Sequence, residues 1–131
     1  MVELQRAAYA VEAALIGFEG IPPLHETAAD VRSLDLVWLG AFEGDLLVGG
    51  IACADYPTFR DIDRLFVDPA TARRGIGRAL VSSVLGAGEV RVSTGTRNAP
   101  ALRLYESLGF EETEVREIAP GVTIRVFVRE G

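Results

Sequence analysis

The sequence predicts an α/β domain with a mixed sheet. Three observations predict it. The apolar period switches from helical spacing to strand alternation and back again along the chain. The strand-like stretches are joined by short Gly/Asp/Pro turns, as hairpins require, while two helix-like stretches separate the later strands. No repeat, low-complexity tract or linker interrupts the 131 residues, so residues 1–131 read as one compact domain.

Leu4, Ala8, Val11 and Leu15 recur at helical spacing and give a first helix over about residues 3–16, ended by Gly17 and Gly20. Pro22-Pro23 imposes an extended loop. Thr27, with Asp30 three residues later, opens a short second helix carrying Val31 and Leu34. Leu36 to Phe42 is a strand rich in large apolar residues. Glu43-Gly44-Asp45 turns the chain into its hairpin partner, Leu46 to Ala54. Within that partner Gly49-Gly50 permits a bulge or a close backbone approach.

After a loop at Tyr56-Pro57-Thr58, Arg60 to Val67 alternates. Asp61, Asp63, Leu65 and Val67 point one way, and Ile62, Arg64 and Phe66 the other. Asp68-Pro69 stops that strand. From Gly75 the period is helical, with Ile76, Leu80 and Val84 on one face and Gly86 and Gly88 closing the helix. Val90 to Thr94 is a short strand. Ala99-Pro100 opens a helix whose apolar face is Ala101, Leu104, Tyr105 and Leu108, with Gly109 as its stop. Phe110 to Ile118 and Val122 to Val128, joined at Pro120-Gly121, form a closing hairpin.

Hydrophobic residues at 49% and charged residues at 24% are globular values, so folding calls for neither disulfides nor a metal, and no metal site is expected. The lone cysteine, Cys53, has no partner in the chain and reads as a small buried apolar residue. No apolar run approaches the ~20 residues of a membrane span, and the N-terminus lacks the order of a secretory signal. A cytoplasmic protein without a membrane partner is the expectation. The net charge of −6 argues against nucleic acid, which wants a broad basic face.

The chain contains no lysine, and Arg73, Arg74 and Arg78 cluster. A basic spot on an acidic chain suggests a small anionic ligand; the alternative is a solvated charged helix face. Strand, glycine turn and helix together are the recipe for an anion site. The first helical turn has unpaired N–H groups and partial positive charge, and Gly75 and Gly77 let a phosphate approach the backbone. A Walker turn is excluded by the missing lysine. A dinucleotide fingerprint is excluded because Leu80 stands where its third glycine belongs.

Leu65-Phe66-Val67-Asp68-Pro69, followed by Arg73-Arg74-Gly75-Ile76-Gly77-Arg78-Ala79-Leu80, resembles motif A of the GNAT superfamily of N-acetyltransferases. Asn98-Ala99-Pro100-Ala101-Leu102-Arg103-Leu104-Tyr105-Glu106-Ser107-Leu108-Gly109-Phe110 resembles its motif B, in the right order and separation. The resemblance covers roughly residues 36–128. It implies a mixed, mostly antiparallel twisted sheet flanked by helices, with acetyl-CoA as acyl donor. Two departures stand out. Ala72 occupies a position where the family usually has Arg or Gln, so that either Arg73 supplies the anchor or the anchor is missing. The chain also begins with a helix where the family begins with a strand. The sheet should therefore lack its first edge strand, leaving residues 36–42 exposed, covered by a helix or paired in a homodimer.

The resemblance also assigns roles. Leu65, Phe66 and Val67 end the strand that splays to admit pantetheine, and the N–H of Phe66 or Val67 polarises the thioester carbonyl. Arg73, Arg74, Gly75, Ile76, Gly77 and Arg78 hold the pyrophosphate. Tyr105 contacts the cofactor and protonates the leaving thiolate, a phenol of pKa about 10 donating to a thiolate of pKa about 8.5. Its position on an apolar helix face equally suits core packing. Asp63, with Asp61 on the same strand face, is the base that takes the amine proton through water; a solvated charge is the other reading. Asn98 contacts pantetheine, caps its helix, or both. His25, the single histidine, lies in the loop where the family receives its acceptor and is a further candidate base; a loop residue without a catalytic role is the other reading.

These roles describe direct transfer in a ternary complex to a primary amine of a small molecule or peptide. A catalytically silent CoA-binding regulatory module is the alternative, and a structural domain with an incidental arginine turn is a third reading. The acidic charge favours a cationic acceptor through steering.

Overall fold

In the computed structural model, residues 2–16, 27, 34–71 and 75–131 are described. The order is α1 (Val2–Ile16), β1 (Val37–Glu43), β2 (Leu46–Asp55), β3 (Phe59–Val67), a 3₁₀ turn (Pro69–Thr71), α2 (Ile76–Val84), β4 (Glu89–Gly95), α3 (Ala99–Ser107), β5 (Glu111–Ala119) and β6 (Val122–Arg129). The helix expected from Thr27 and the stops at Gly17 and Gly20 lie outside the described residues, Thr27 and Leu34 excepted.

Six strands form one sheet in the order β1-β2-β3-β4-β6-β5. Every neighbouring pair is antiparallel except β3 and β4. A parallel pair needs a crossover, and α2 supplies it. The mixed, mostly antiparallel sheet flanked by helices is the one expected. Among the described residues no strand lies beyond β1, and Val37, Leu39 and Phe42 on it are exposed.

The core gathers on one face of the sheet. Ile51, Cys53 and Ile62 from the first strands meet Leu80, Val81 and Val84 of α2, Tyr105 of α3, and Val90, Val92, Phe110 and Phe127. Close approach of α2 depends on Gly49, where a Cβ would stand 3.2 Å from both Ile76 Cγ2 and Leu80 Cδ1. On the reverse face the Phe66 ring lies over Gly50. The expectation of a close approach at Gly49-Gly50 holds on both faces.

The expected alternation of β3 fails at one point. Ala52 faces Arg64 and Cys53 faces Ile62, so Asp63 is an extra residue in a bulge. The bulge reverses the facing of everything after it. Ile62 joins the α2 face, whereas Arg64 and Phe66 are buried on the opposite one. Leu65 and Val67 pack toward α2, and alternation from Ile62 puts Asp61 on the far face from them. One side chain period cannot reveal this, because a bulge is defined by the partner strand.

Helix α1 packs on β3, where Arg64 and Phe66 are buried. Among its described side chains, those of residues 2–10, the buried ones are Gln5 and Tyr9, one turn apart, flanked by the half-buried Leu4 and Ala8. The apolar period located the helix, and over residues 2–10 its innermost line runs through Gln5 and Tyr9.

Candidate active site

The site is a gap made by two strands parting. β3 and β4 pair from Phe59↔Glu89 to Ile62↔Val92 and no further. Beyond that pair β3 continues to Val67 beside β2, and β4 continues to Gly95 beside β6. A wedge therefore opens at the carboxyl ends of the two parallel strands, where sheets of this kind receive ligands. Along the wedge, β3 keeps its donors but loses its strand partner.

Which donors face the wedge follows from alternation. The Asp68 N–H donates to the Val48 carbonyl at 2.7 Å, toward β2. Val67 is then turned the other way, into the gap. The Leu65 N–H, two residues back, donates to the Tyr9 hydroxyl at 2.8 Å. Phe66, between them, turns its main chain toward β2, its carbonyl standing beside Gly49. Of the strand-end residues read from sequence, Leu65 and Val67 present N–H groups to the wedge and Phe66 covers Gly50 with its ring.

The mouth of the wedge is formed by α2 and α3. The Asp68 carbonyl accepts from the Thr71 N–H and hydroxyl, both at 2.9 Å, and so shapes the turn after β3. Gly75 then precedes α2 at φ 74°, a left-handed conformation that glycine adopts freely. Among the described residues no side chain caps the helix there, and a Cβ on Gly75 would meet nothing within 4 Å. Among the described residues, then, the first N–H groups of this nine-residue helix have no side-chain cap, which makes its start a candidate anion seat. Gly77 closes the corner: a Cβ on it would lie 3.7 Å from Leu104 Cδ2 and from Val67 Cγ2. Arg78 donates to the Ser107 hydroxyl at 2.8 Å, tying α2 to α3. Arg73, Arg74 and Ala72 lie outside the described residues, as does His25.

Asn98 is the N-cap of α3, its side-chain oxygen accepting from the Ala101 N–H at 3.3 Å. Tyr105 is buried, with its ring against Phe110 at 5.4 Å, edge-on, and Phe127 at 6.2 Å. Phe127 pairs with Val92, so Tyr105 lies over the sheet close to where the wedge begins.

The two strand carboxylates differ. Asp63, on the bulge, has an exposed side chain whose oxygen accepts from the buried Arg64 Nε at 2.9 Å. Asp61 is half-buried opposite Arg91, in the still-paired part of the strand. Burial first, and the Asp63 charge second, push its carboxyl above the usual range, with Arg91 opposing. Burial pushes the Cys53 thiol up to about 11. Among the described residues no group of three or more His, Cys, Asp or Glu side chains is placed to hold a metal, and no helix is long and apolar enough to cross a membrane.

Tyr9 is the site residue that sequence reasoning missed. Its signal was slight: Gln5 and Tyr9 stand at i and i+4 beside the apolar stripe of α1.

The family model for the acetyltransferase (GNAT) domain matches residues 34–112. UPF0157 protein YqkA of Bacillus subtilis is 34% identical over 131 residues, covering 97% of this chain and 38% of that protein. The chain spans 24–54% of the length of the first four curated relatives it matches. Two solved structures share the fold. The ribosomal-protein-S18-alanine N-acetyltransferase of Escherichia coli aligns with TM-score 0.77 at 18% identity, over 98% of this chain and 83% of that one. The PaiA N-acetyltransferase of Thermoplasma acidophilum, in complex with coenzyme A, aligns with TM-score 0.69 at 19% identity, over 99% and 90%.

Proposed function

The chain belongs to the GNAT family of acetyltransferases, and from that premise we propose that it moves an acetyl group from acetyl-CoA to a primary amine by direct transfer in a ternary complex. The observation that carries this is the wedge: beyond Ile62 and Val92 the strands part, and the gap leads to the uncapped start of α2. The residues present fit the cofactor. Gly75 leaves room for a phosphate against the helix N–H groups, and the N–H groups of Leu65 and Val67 line a slot suited to an amide-bearing arm. When bound there, acetyl-CoA supplies an activated acyl group on a thioester.

The chain's own residues divide the remaining work. Arg73, Arg74, Gly75, Ile76, Gly77 and Arg78 hold the pyrophosphate, and Asn98 orients α3 beside it. A wedge-facing N–H stabilises charge on the carbonyl oxygen. The amine must lose a proton, and a strand carboxylate takes it through water. Asp61 suits this better than Asp63, because its raised carboxyl binds a proton more readily while the Asp63 oxygen is engaged by Arg64. Tyr105 returns a proton to the thiolate.

The acceptor reading is supported by the acidic charge of −6, which attracts a cationic amine. A peptide amine is compatible with the substrate in the name of the Escherichia coli structure, a small amine with the charge alone. Among the described residues nothing pairs with the outer edge of β1, where Val37 and Leu39 are exposed, and this supports pairing with a second copy of the chain; light scattering that finds a monomer removes that reading.

Titration calorimetry with acetyl-CoA tests the cofactor, and release of free thiol across a panel of small amines and peptide N-termini tests the transfer. Binding without thiol release from any amine would instead support a silent CoA-binding module.

A further inference from the structure

The Tyr9 contact bears on how the wedge distinguishes an acylated cofactor from a bare one, and the inference rests on the acetyl-CoA reading above. Val67 lies at the open end of the wedge, against Gly77 and the start of α2. Leu65 lies two residues deeper, toward the apex at Ile62 and Val92, and so about 7 Å further along the strand. A ligand held by its phosphates at α2 passes Val67 first and brings its far end to Leu65. That far end is the thioester in acetyl-CoA and a bare thiol in CoA.

The Leu65 N–H is occupied by this chain itself. The Tyr9 hydroxyl accepts from it at 2.8 Å, across 56 positions of sequence. Tyr9 is 8% exposed, and Gln5, one helical turn earlier, is fully buried, so α1 holds the ring in place against β3. A strand N–H released by a parting sheet needs an acceptor, and a phenol oxygen at the protein's own disposal provides one.

We propose that Tyr9 is a specificity-determining residue: its hydroxyl oxygen holds, on the Leu65 N–H, the place that the acyl carbonyl of the cofactor takes. A main-chain N–H makes one good hydrogen bond, so the two oxygens compete for it. Free CoA carries no carbonyl at that end and leaves Tyr9 on Leu65. An acylated cofactor gains the Leu65 N–H but displaces Tyr9, so its advantage over CoA is reduced by the bond it breaks. Removing the hydroxyl leaves the Leu65 N–H without an acceptor until an acyl carbonyl arrives, and acylated cofactor then gains the whole bond.

The test is calorimetric titration of CoA and of acetyl-CoA, without amine, into the wild-type chain and Tyr9→Phe, which keeps the ring. The ratio Kd(CoA)/Kd(acetyl-CoA) is expected to rise about five-fold in Tyr9→Phe, as one neutral hydrogen bond warrants. The Kd of CoA itself should move less than about two-fold. A ratio that is unchanged or lower overturns the proposal. If neither ligand binds the wild-type chain, the cofactor reading has failed, which is a distinct result. Should Tyr9→Phe not fold, the ring resonances of Tyr9 in the wild-type chain decide instead. Acetyl-CoA is expected to shift them and CoA to leave them in place, and equal shifts with both ligands overturn the proposal.

Discussion

A Cβ placed on Gly49 would stand 2.9 Å from the carbonyl oxygen of Phe66 on the neighbouring strand. The atom it would meet is backbone, inside a ladder, and cannot swing aside. The same Cβ would press on Ile76 and Leu80, which seat α2 on the sheet. Gly49→Ala is therefore expected to cost about 1–3 kcal/mol, the usual range for overpacking. Because α2 carries the proposed phosphate seat, the same change should weaken CoA binding. Urea unfolding and calorimetry on one sample check both, and full stability with full affinity would show that α2 is not held by this contact.

Tyr105 stands between two roles. Its ring packs against Phe110 and Phe127, and its hydroxyl is proposed to protonate the leaving thiolate. Tyr105→Phe keeps the ring contacts and removes the acid. The expected result is a fall in kcat of about 10²-fold, with the Kd for CoA nearly unchanged. Equal turnover would leave Tyr105 as a packing residue.

The choice of base turns on Asp61 and Asp63. The folded chain raises the Asp61 carboxyl, mainly by burial, so the acidic limb of the rate profile should lie above the ordinary aspartate range. Asp61→Asn should lower kcat by about 10²-fold and abolish that limb, while Asp63→Asn should retain it. Stability gives an independent check. A carboxyl raised on folding contributes stability below its unfolded pKa and loses it as pH rises through the folded value. Asp61→Asn should thus gain stability relative to wild type between acid and neutral pH. An Asp63→Asn variant that loses the limb reverses the assignment.

Much of this site could be read from the sequence, for local reasons. Gly75 announced a turn, Asn98 a helix cap, and Gly49-Gly50 a close approach, since each acts on its own backbone or its immediate neighbours. The Asp63 bulge could not be read, because it exists relative to β2: Ala52 and Cys53 are adjacent, whereas their partners Arg64 and Ile62 are not. That extra residue turned Asp61 away from the face of Leu65 and Val67. Tyr9 escaped for a similar reason. Its partner, the Leu65 N–H, is an unpaired strand donor whose existence depends on β3 and β4 separating. Helical spacing located α1 but is silent about what a polar residue on its buried line will meet.

Cys53 offers a check on the route of transfer. A cysteine near an acyl-transfer site invites a covalent path in which the thiolate takes the acyl group first. Burial argues against it here. Cys53 is 2% exposed among Ile51, Ile62 and the α2 side chains, and its thiol is pushed up to about 11. At a pH of about 8, the thiolate is then about 10⁻³ of the population, against roughly a quarter for an ordinary cysteine. The expected outcome is slow modification by a thiol reagent in the folded chain, rising by at least about 10²-fold in urea. Cys53→Ala should keep transfer while costing on the order of 1 kcal/mol, the loss of one buried sulfur. Rapid labelling of the native chain, or loss of activity in a folded Cys53→Ala variant, would reopen the covalent path and count against direct transfer to the amine.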